Sequence, residues 1–244
     1  MKRSVFSFIL FLFGVSAVYS LEPAELILAF ERVISEIHDY QCRLSQWSVS
    51  GDRIEKKILN YYFGYDRHIR IDVLEGNRGA GGTGILRVDG KVAARAKFLF
   101  VHLRFVLESS HSAVTTIRGR TFRDGSLMGI LEMIRSHSEE CDVDIERNDS
   151  SYVIYSVDCK SNADRRTVIE LDADSLLPII SRTFEFGEIV EYVMWTNYTV
   201  NGGLPVHIFD IKTKLSEMTE IQEAVVARTA INDRERIVSG IVVD

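Results

Sequence analysis

Cysteine is scarce in this chain: Cys42, Cys141 and Cys159 are the three present among 244 residues. No two of them stand at the short spacing of a thiolate metal centre, so the usual zinc and iron–sulfur sites are excluded. Basic charge is also short. Lys and Arg number 29 against 35 Asp and Glu, for a net charge of −6. An acidic surface repels a phosphate backbone, which argues against nucleic acid as a partner. No run of Lys or Arg points to anionic headgroups of a membrane surface. The six His residues fall in no metal spacing such as H-x-x-x-H, and no G-x-S-x-G elbow supports a hydrolase. A Ser-His-Asp set can be assembled from any list this long. The expectation is a protein that is not an enzyme, with no metal and no cofactor.

Long apolar runs are missing too, with one exception. Val5 to Val15 is almost unbroken, preceded by Lys2 and Arg3 and followed by Val18-Tyr19-Ser20. That pattern predicts a signal peptide over residues 1–20, cleaved near Ser20, since the run is too short to span a bilayer comfortably. No Cys follows the run, so lipid attachment there is not expected. With no second span, the mature protein is peripheral to a membrane at most. Losing Lys2 and Arg3 takes the charge from −6 to −8. Residues 21–244 suffice for one domain with a substantial core.

What the chain does have is periodicity. Leu26, Ile27, Phe30, Val33, Ile34 and Ile37 predict one amphipathic helix over 24–40, with Pro23 in its first turn. A second, at about 125–137, carries Leu127, Ile130, Leu131 and Ile134, with Asp124 or Ser126 as its cap. Elsewhere period-two strands dominate: 41–50, 54–63, 67–74, 83–89, 91–96 and 98–108 before the second helix, then 141–147, 152–158, 165–171, 177–186 and 189–198. Breakers at Gly51-Asp52, Gly64-Tyr65-Asp66, Asp89-Gly90 and Gly187-Glu188 separate them. Such short, regular spacing favours antiparallel hairpins over βαβ units. The predicted fold class is mainly β with helices (α+β): a large curved antiparallel sheet, or unclosed β-barrel, with amphipathic helices plugging the concave face. Segment 213–240 reads equally as helix or strand.

Three motifs have plainer readings beside their functional ones. Gly79-Ala80-Gly81-Gly82-Thr83-Gly84 matches G-x-G-x-x-G, but a strand follows it instead of a helix, so no amide cradle for pyrophosphate forms. A glycine loop between strands is expected, or a rim on a cavity. Asp142, Asp144, Glu146 and Asn148 alternate with apolar residues and lack a calcium loop's central glycine, which reads as a strand with a wet face. Cys141 and Cys159 flank two strands around a turn at 148–150. In a symmetric hairpin they lie opposite each other, within disulfide reach in an exported protein. Cys42 is then a lone buried thiol.

Aromatics supply the functional candidates. Phe98, Phe100 and Phe105 lie on the strongest strand run, and Trp47, Tyr61, Phe63, Phe184, Phe186, Trp195 and Tyr198 sit on others. They read either as ordinary core or as the wall of a cavity for an acyl chain.

The stretches HDYQCRLSQWSVSGDRIEKKI and HIRIDVLEGNRGAGGTGILRVDGKV resemble exported proteins related to the outer-membrane lipoprotein carrier, the LolA-like family. IRGRTFRDGSLMGILEMI resembles a related family of uncharacterised exported bacterial proteins, and LDADSLLPIISRTFEFGEIVEYVMWTNYTVNGGLPVHIFDI fits the same pattern. The resemblance runs from Ala24 to Ile211 and leaves residues 212–244 as a C-terminal extension. It implies a periplasmic, unclosed β-barrel holding lipid, acyl chains or a lipidated protein in a hydrophobic groove. The ligand-contacting residues expected are Trp47, Phe63, Arg70, Phe98, Phe100, Phe105 and Trp195, with Arg70 as counterpart of the carrier's buried Arg. Relatives that regulate envelope stress imply an alternative: a sensor that holds a protein partner.

Overall fold

The computed structural model describes residues 22–64, 67–98, 101–141, 143–157 and 164–212. The expected signal peptide, 1–20, and the segment 213–244 lie outside the described residues. Eleven strands form a single antiparallel sheet, in the spatial order β6-β5-β4-β3-β2-β1-β11-β10-β9-β8-β7. They are β1 Tyr40–Ser50, β2 Arg53–Gly64, β3 His68–Gly76, β4 Thr83–Leu86, β5 Lys91–Phe98 and β6 Val101–Glu108, then β7 Val143–Arg147, β8 Ser151–Val157, β9 Arg165–Asp172, β10 Pro178–Glu185 and β11 Glu188–Val200. The first half meanders one way from β1 and the second half the other way from β11. The β1–β11 pair, in register from Gln46↔Val193 to Ser48↔Glu191, joins the halves. Among the described residues β6 and β7 are the free edges and do not pair. The barrel is unclosed.

Two helices cover one face. In α1 (Pro23–Ser35) Leu26 and Phe30 are buried, and in α2 (Leu127–Glu140) Leu127, Ile130, Leu131 and Ile134 are buried at helical spacing. Ser126 caps α2 by accepting the Gly129 N–H at 3.0 Å. Tyr61 of β2 and Ile154 of β8 belong to one core with those helices. These strands are five intervals apart, about 24 Å along a flat sheet, while a helix with its side chains is about 10–12 Å across. Both can reach the helices only if the sheet curls around them.

The first helix is shorter than its apolar pattern predicts. It ends at Ser35 instead of residue 40, because a distant residue takes over its last turn. Asn201 Nδ2 donates to the Glu36 carbonyl at 3.0 Å, and Asn201 Oδ1 accepts the His38 N–H at 2.7 Å. Tyr40 is then already in the sheet, paired with Phe63 and Val200.

The sheet's outer face has its own small core. Tyr62 and Ile208 are fully buried there, where the short 3-10 turn Val206–Phe209 lies against β3.

A cavity under a strap

Strand alternation assigns the inner wall. Leu44 and Gln46 of β1, Lys57, Leu59 and Tyr61 of β2, Ile71 and Val73 of β3, and Val193 and Trp195 of β11 all face the helices. On β4 and β5 that face carries small residues. Gly84 lies opposite Ile71 and Ala94, and Ala94 lies opposite Phe105 of β6. The wall is thin here, and the segment 109–126, a strap between β6 and α2, presses into it. A Cβ built on Gly84 would stand 2.4 Å from Phe122 Cζ.

Hydrogen bonds hold the strap to the sheet. Tyr61 Oη donates to the Phe122 carbonyl at 3.2 Å, and Trp195 Nε1 donates to the Gly125 carbonyl at 3.4 Å. Further along, the inner face turns ionic. Arg120 Nε donates to Glu191 Oε2 at 2.8 Å and its Nη2 to Thr183 Oγ1 at 3.1 Å. Arg118 pairs with Glu185 and donates to the Val49 carbonyl at 2.9 Å. Glu55, only 1% exposed, accepts the Ile117 N–H at 3.0 Å.

Between strap, α2 and sheet remains a cavity. The space open to the centre of a water molecule is about 160 Å³, room for on the order of ten waters. Leu59, Ile71, Phe105, Phe122, Ile130 and Trp195 supply its apolar wall, and Gly79 and Gly82 of the glycine-rich loop also line it.

The candidate residues divide. Phe105 and Trp195 line the cavity. Phe63 packs in the main core instead, stacked on Tyr40 at 5.2 Å. Trp47 is half-buried on the outer face, one step out of phase with Leu44 and Gln46. Arg70 is also on the outer face, because Ile69 and Ile71 occupy the inner one. It is fully buried there, bound to Asp72 by Nε–Oδ2 at 2.9 Å and Nη2–Oδ1 at 3.0 Å, and it donates to the Ile208 carbonyl at 2.6 Å. It clamps the turn 206–209 and does not line the cavity. The Phe98 side chain, Phe100 and Cys159 lie outside the described residues.

Sequence reasoning missed Phe122, Arg78 and Arg120. They belong to loops, and no periodicity announces a loop that folds back onto a sheet.

Burial pushes the Tyr40, Tyr61 and Tyr198 phenols and the Cys42 thiol well above their ordinary pKa values. Cys42 is free and buried, so it is a poor nucleophile. Among the described residues no three His, Cys, Asp or Glu converge as metal ligands, and no helix is long and apolar enough to cross a membrane.

No family model matches the chain, and no curated protein matches it. Solved structures do. The chain is similar to a DUF1329 family protein from Desulfovibrio piger, at 12% identity over 78% of this chain and 96% of that one, with a TM-score of 0.42. It is similar to a LolA superfamily protein from Nitrosomonas europaea, at 10% identity over 78% and 98%, with a TM-score of 0.37. It is also similar to MucB in complex with MucA(peri), at 12% identity over 79% of this chain and 60% of that one, with a TM-score of 0.47.

Proposed function

We propose that this chain is an exported, non-catalytic binding protein of the periplasm, a single domain that takes an acyl chain into the cavity under its strap. The guest is a lipid or the lipid of a lipidated protein. The cavity itself carries the reading, with the apolar side chains of Leu59, Ile71, Phe105, Phe122, Ile130 and Trp195 around a space of about 160 Å³. Each methylene moved from water into such a wall gains about 0.8 kcal/mol. Ten methylenes offer about 8 kcal/mol before the costs of ordering the chain and loosening the strap. The protein purified from its own host and extracted with organic solvent should release acyl species by mass spectrometry. Protein that releases none, and that binds no fluorescent fatty probe, sinks the reading.

A second reading has its own observation. Leu103 and Val106 are 49% and 57% exposed on β6, an edge strand. An open edge offers main-chain hydrogen bonds to an extended partner segment. A stoichiometric protein recovered from envelope extracts, with no lipid, favours this sensor-like role.

A further inference from the structure

The cavity wall gathers basic side chains on an acidic chain. The net charge is −6, yet Lys57, Arg78 and Arg120 line the cavity with one lining carboxylate, Asp124. Two of these groups are committed. Arg120 is held by Glu191, and Asp124 Oδ2 caps the strap by accepting the Thr121 N–H at 2.6 Å.

Lys57 and Arg78 differ. Among the described residues, Glu55 is the carboxylate within 4 Å of each, with Oε1 at 2.7 Å from Lys57 Nζ and 3.6 Å from Arg78 Nη1. The same carboxylate also accepts the Ile117 N–H. One negative charge therefore serves two cations and a backbone donor. Lys57 and Glu55 are 13% and 1% exposed and Arg78 is 37% exposed, so water screens the Lys57 side of this corner less than the Arg78 side. Lys57 stands two residues before Leu59 on the same face of β2, about 7 Å away, next to the apolar wall.

From this juxtaposition we infer that the guest is a single-chain amphiphile with an anionic head, a carboxylate or a phosphate monoester, seated at Lys57 and Arg78 with its chain along Leu59. This rests on the acyl-chain reading above. Arg78 also donates to the Ser112 and Thr115 carbonyls of the strap, so a head bound here touches the residue that fastens the strap's first half.

Calorimetric titration of the full mature chain with dodecanoate, dodecyl phosphate and dodecanol tests this at neutral pH and low salt. Both anions should bind at least about tenfold more tightly than the alcohol, the worth of one charge-assisted hydrogen bond; the tighter anion identifies the head. Lys57→Met should bring the affinity ratio of each anion to dodecanol close to one. Arg78→Met, at a more exposed position, should lower the preference in the same direction and serves if Lys57→Met fails to fold. Equal affinity for all three probes overturns the headgroup assignment and leaves the acyl reading standing. A preference that survives both substitutions overturns its location. Binding of none of the probes overturns the acyl reading itself.

Discussion

Arg120 of the strap and Glu191 of β11 meet at 2.8 Å, although 71 positions separate them in the chain. The strap leaves the sheet at β6, one edge, and is fastened to β11, six strands away in the spatial order. It therefore crosses the inner face of the sheet over the cavity. Glu191 is 3% exposed and Arg120 20%, so neither charge is fully compensated by water. Arg120→Met should cost about 1–3 kcal/mol, as a buried carboxylate loses its best partner. The loss stays moderate because Arg165 Nη2 and Arg118 Nε remain near the same oxygen, at 3.9 and 4.0 Å. Urea unfolding of Arg120→Met, Glu191→Met and the double variant gives the coupling. An unchanged midpoint in Arg120→Met would mean that the pair does not hold the strap.

Gly84 is required by close approach. Gly84→Ala places a methyl carbon inside the Phe122 ring's contact distance, 2.4 Å from Cζ. Either the strap or β4 must shift, at about 1–3 kcal/mol. Gly84→Ala combined with Phe122→Leu should recover part of that. Thermal melts that show Gly84→Ala at wild-type stability would contradict the packing of strap on sheet.

The phenols of Tyr40, Tyr61 and Tyr198 are all pushed upward, first by burial. In the unfolded chain they ionise near pH 10. A group whose folded pKa is raised contributes stability that is complete below its unfolded pKa, and that contribution is lost as pH rises beyond it. Stability should therefore fall steeply above about pH 10. Absorbance at the tyrosinate band should rise in step with loss of circular dichroism. Tyrosines that titrate smoothly while the fold persists would show the cluster to be wet.

Arg70→Met should destabilise strongly, by about 3–5 kcal/mol, because Asp72 is left charged and fully buried. Thr83 Oγ1, at 2.6 Å, is then its remaining close side-chain donor. Dodecanoate affinity of the folded fraction should stay at the wild-type value, since Arg70 faces away from the cavity. A selective loss of binding would return Arg70 to the site.

Peptide mapping without reductant should recover Cys141 linked to Cys159 and Cys42 as a free thiol. Native protein should react with a thiol reagent only on unfolding, because Cys42 is 3% exposed and its thiolate is disfavoured by burial. A native protein that is modified at once, or whose Cys159 is recovered free, contradicts this.

Much of the fold can be read along the chain. Ile69 and Ile71 alternate with Arg70 and Asp72, and Leu127, Ile130, Leu131 and Ile134 recur at helical spacing, so strands, helices and turns are local facts. Antiparallel order follows from the short turns. The aromatic signal found Phe105 and Trp195 but could not separate them from Phe63 and Trp47. All four are large and apolar on strands, and only the partner elements decide which faces a helix, a cavity or the outside.

The sequence by itself determined an acidic chain and a hairpin-rich sheet with two greasy helices, because each depends on neighbouring residues. The tertiary structure decided the rest. Lys57 and Arg78 stand 21 positions apart and form no cluster in the sequence, yet they converge on one carboxylate. Arg70 turns outward because register gives each strand residue one face and its neighbours held the inner one. A cavity is space left between elements distant in sequence, so no local pattern specifies it.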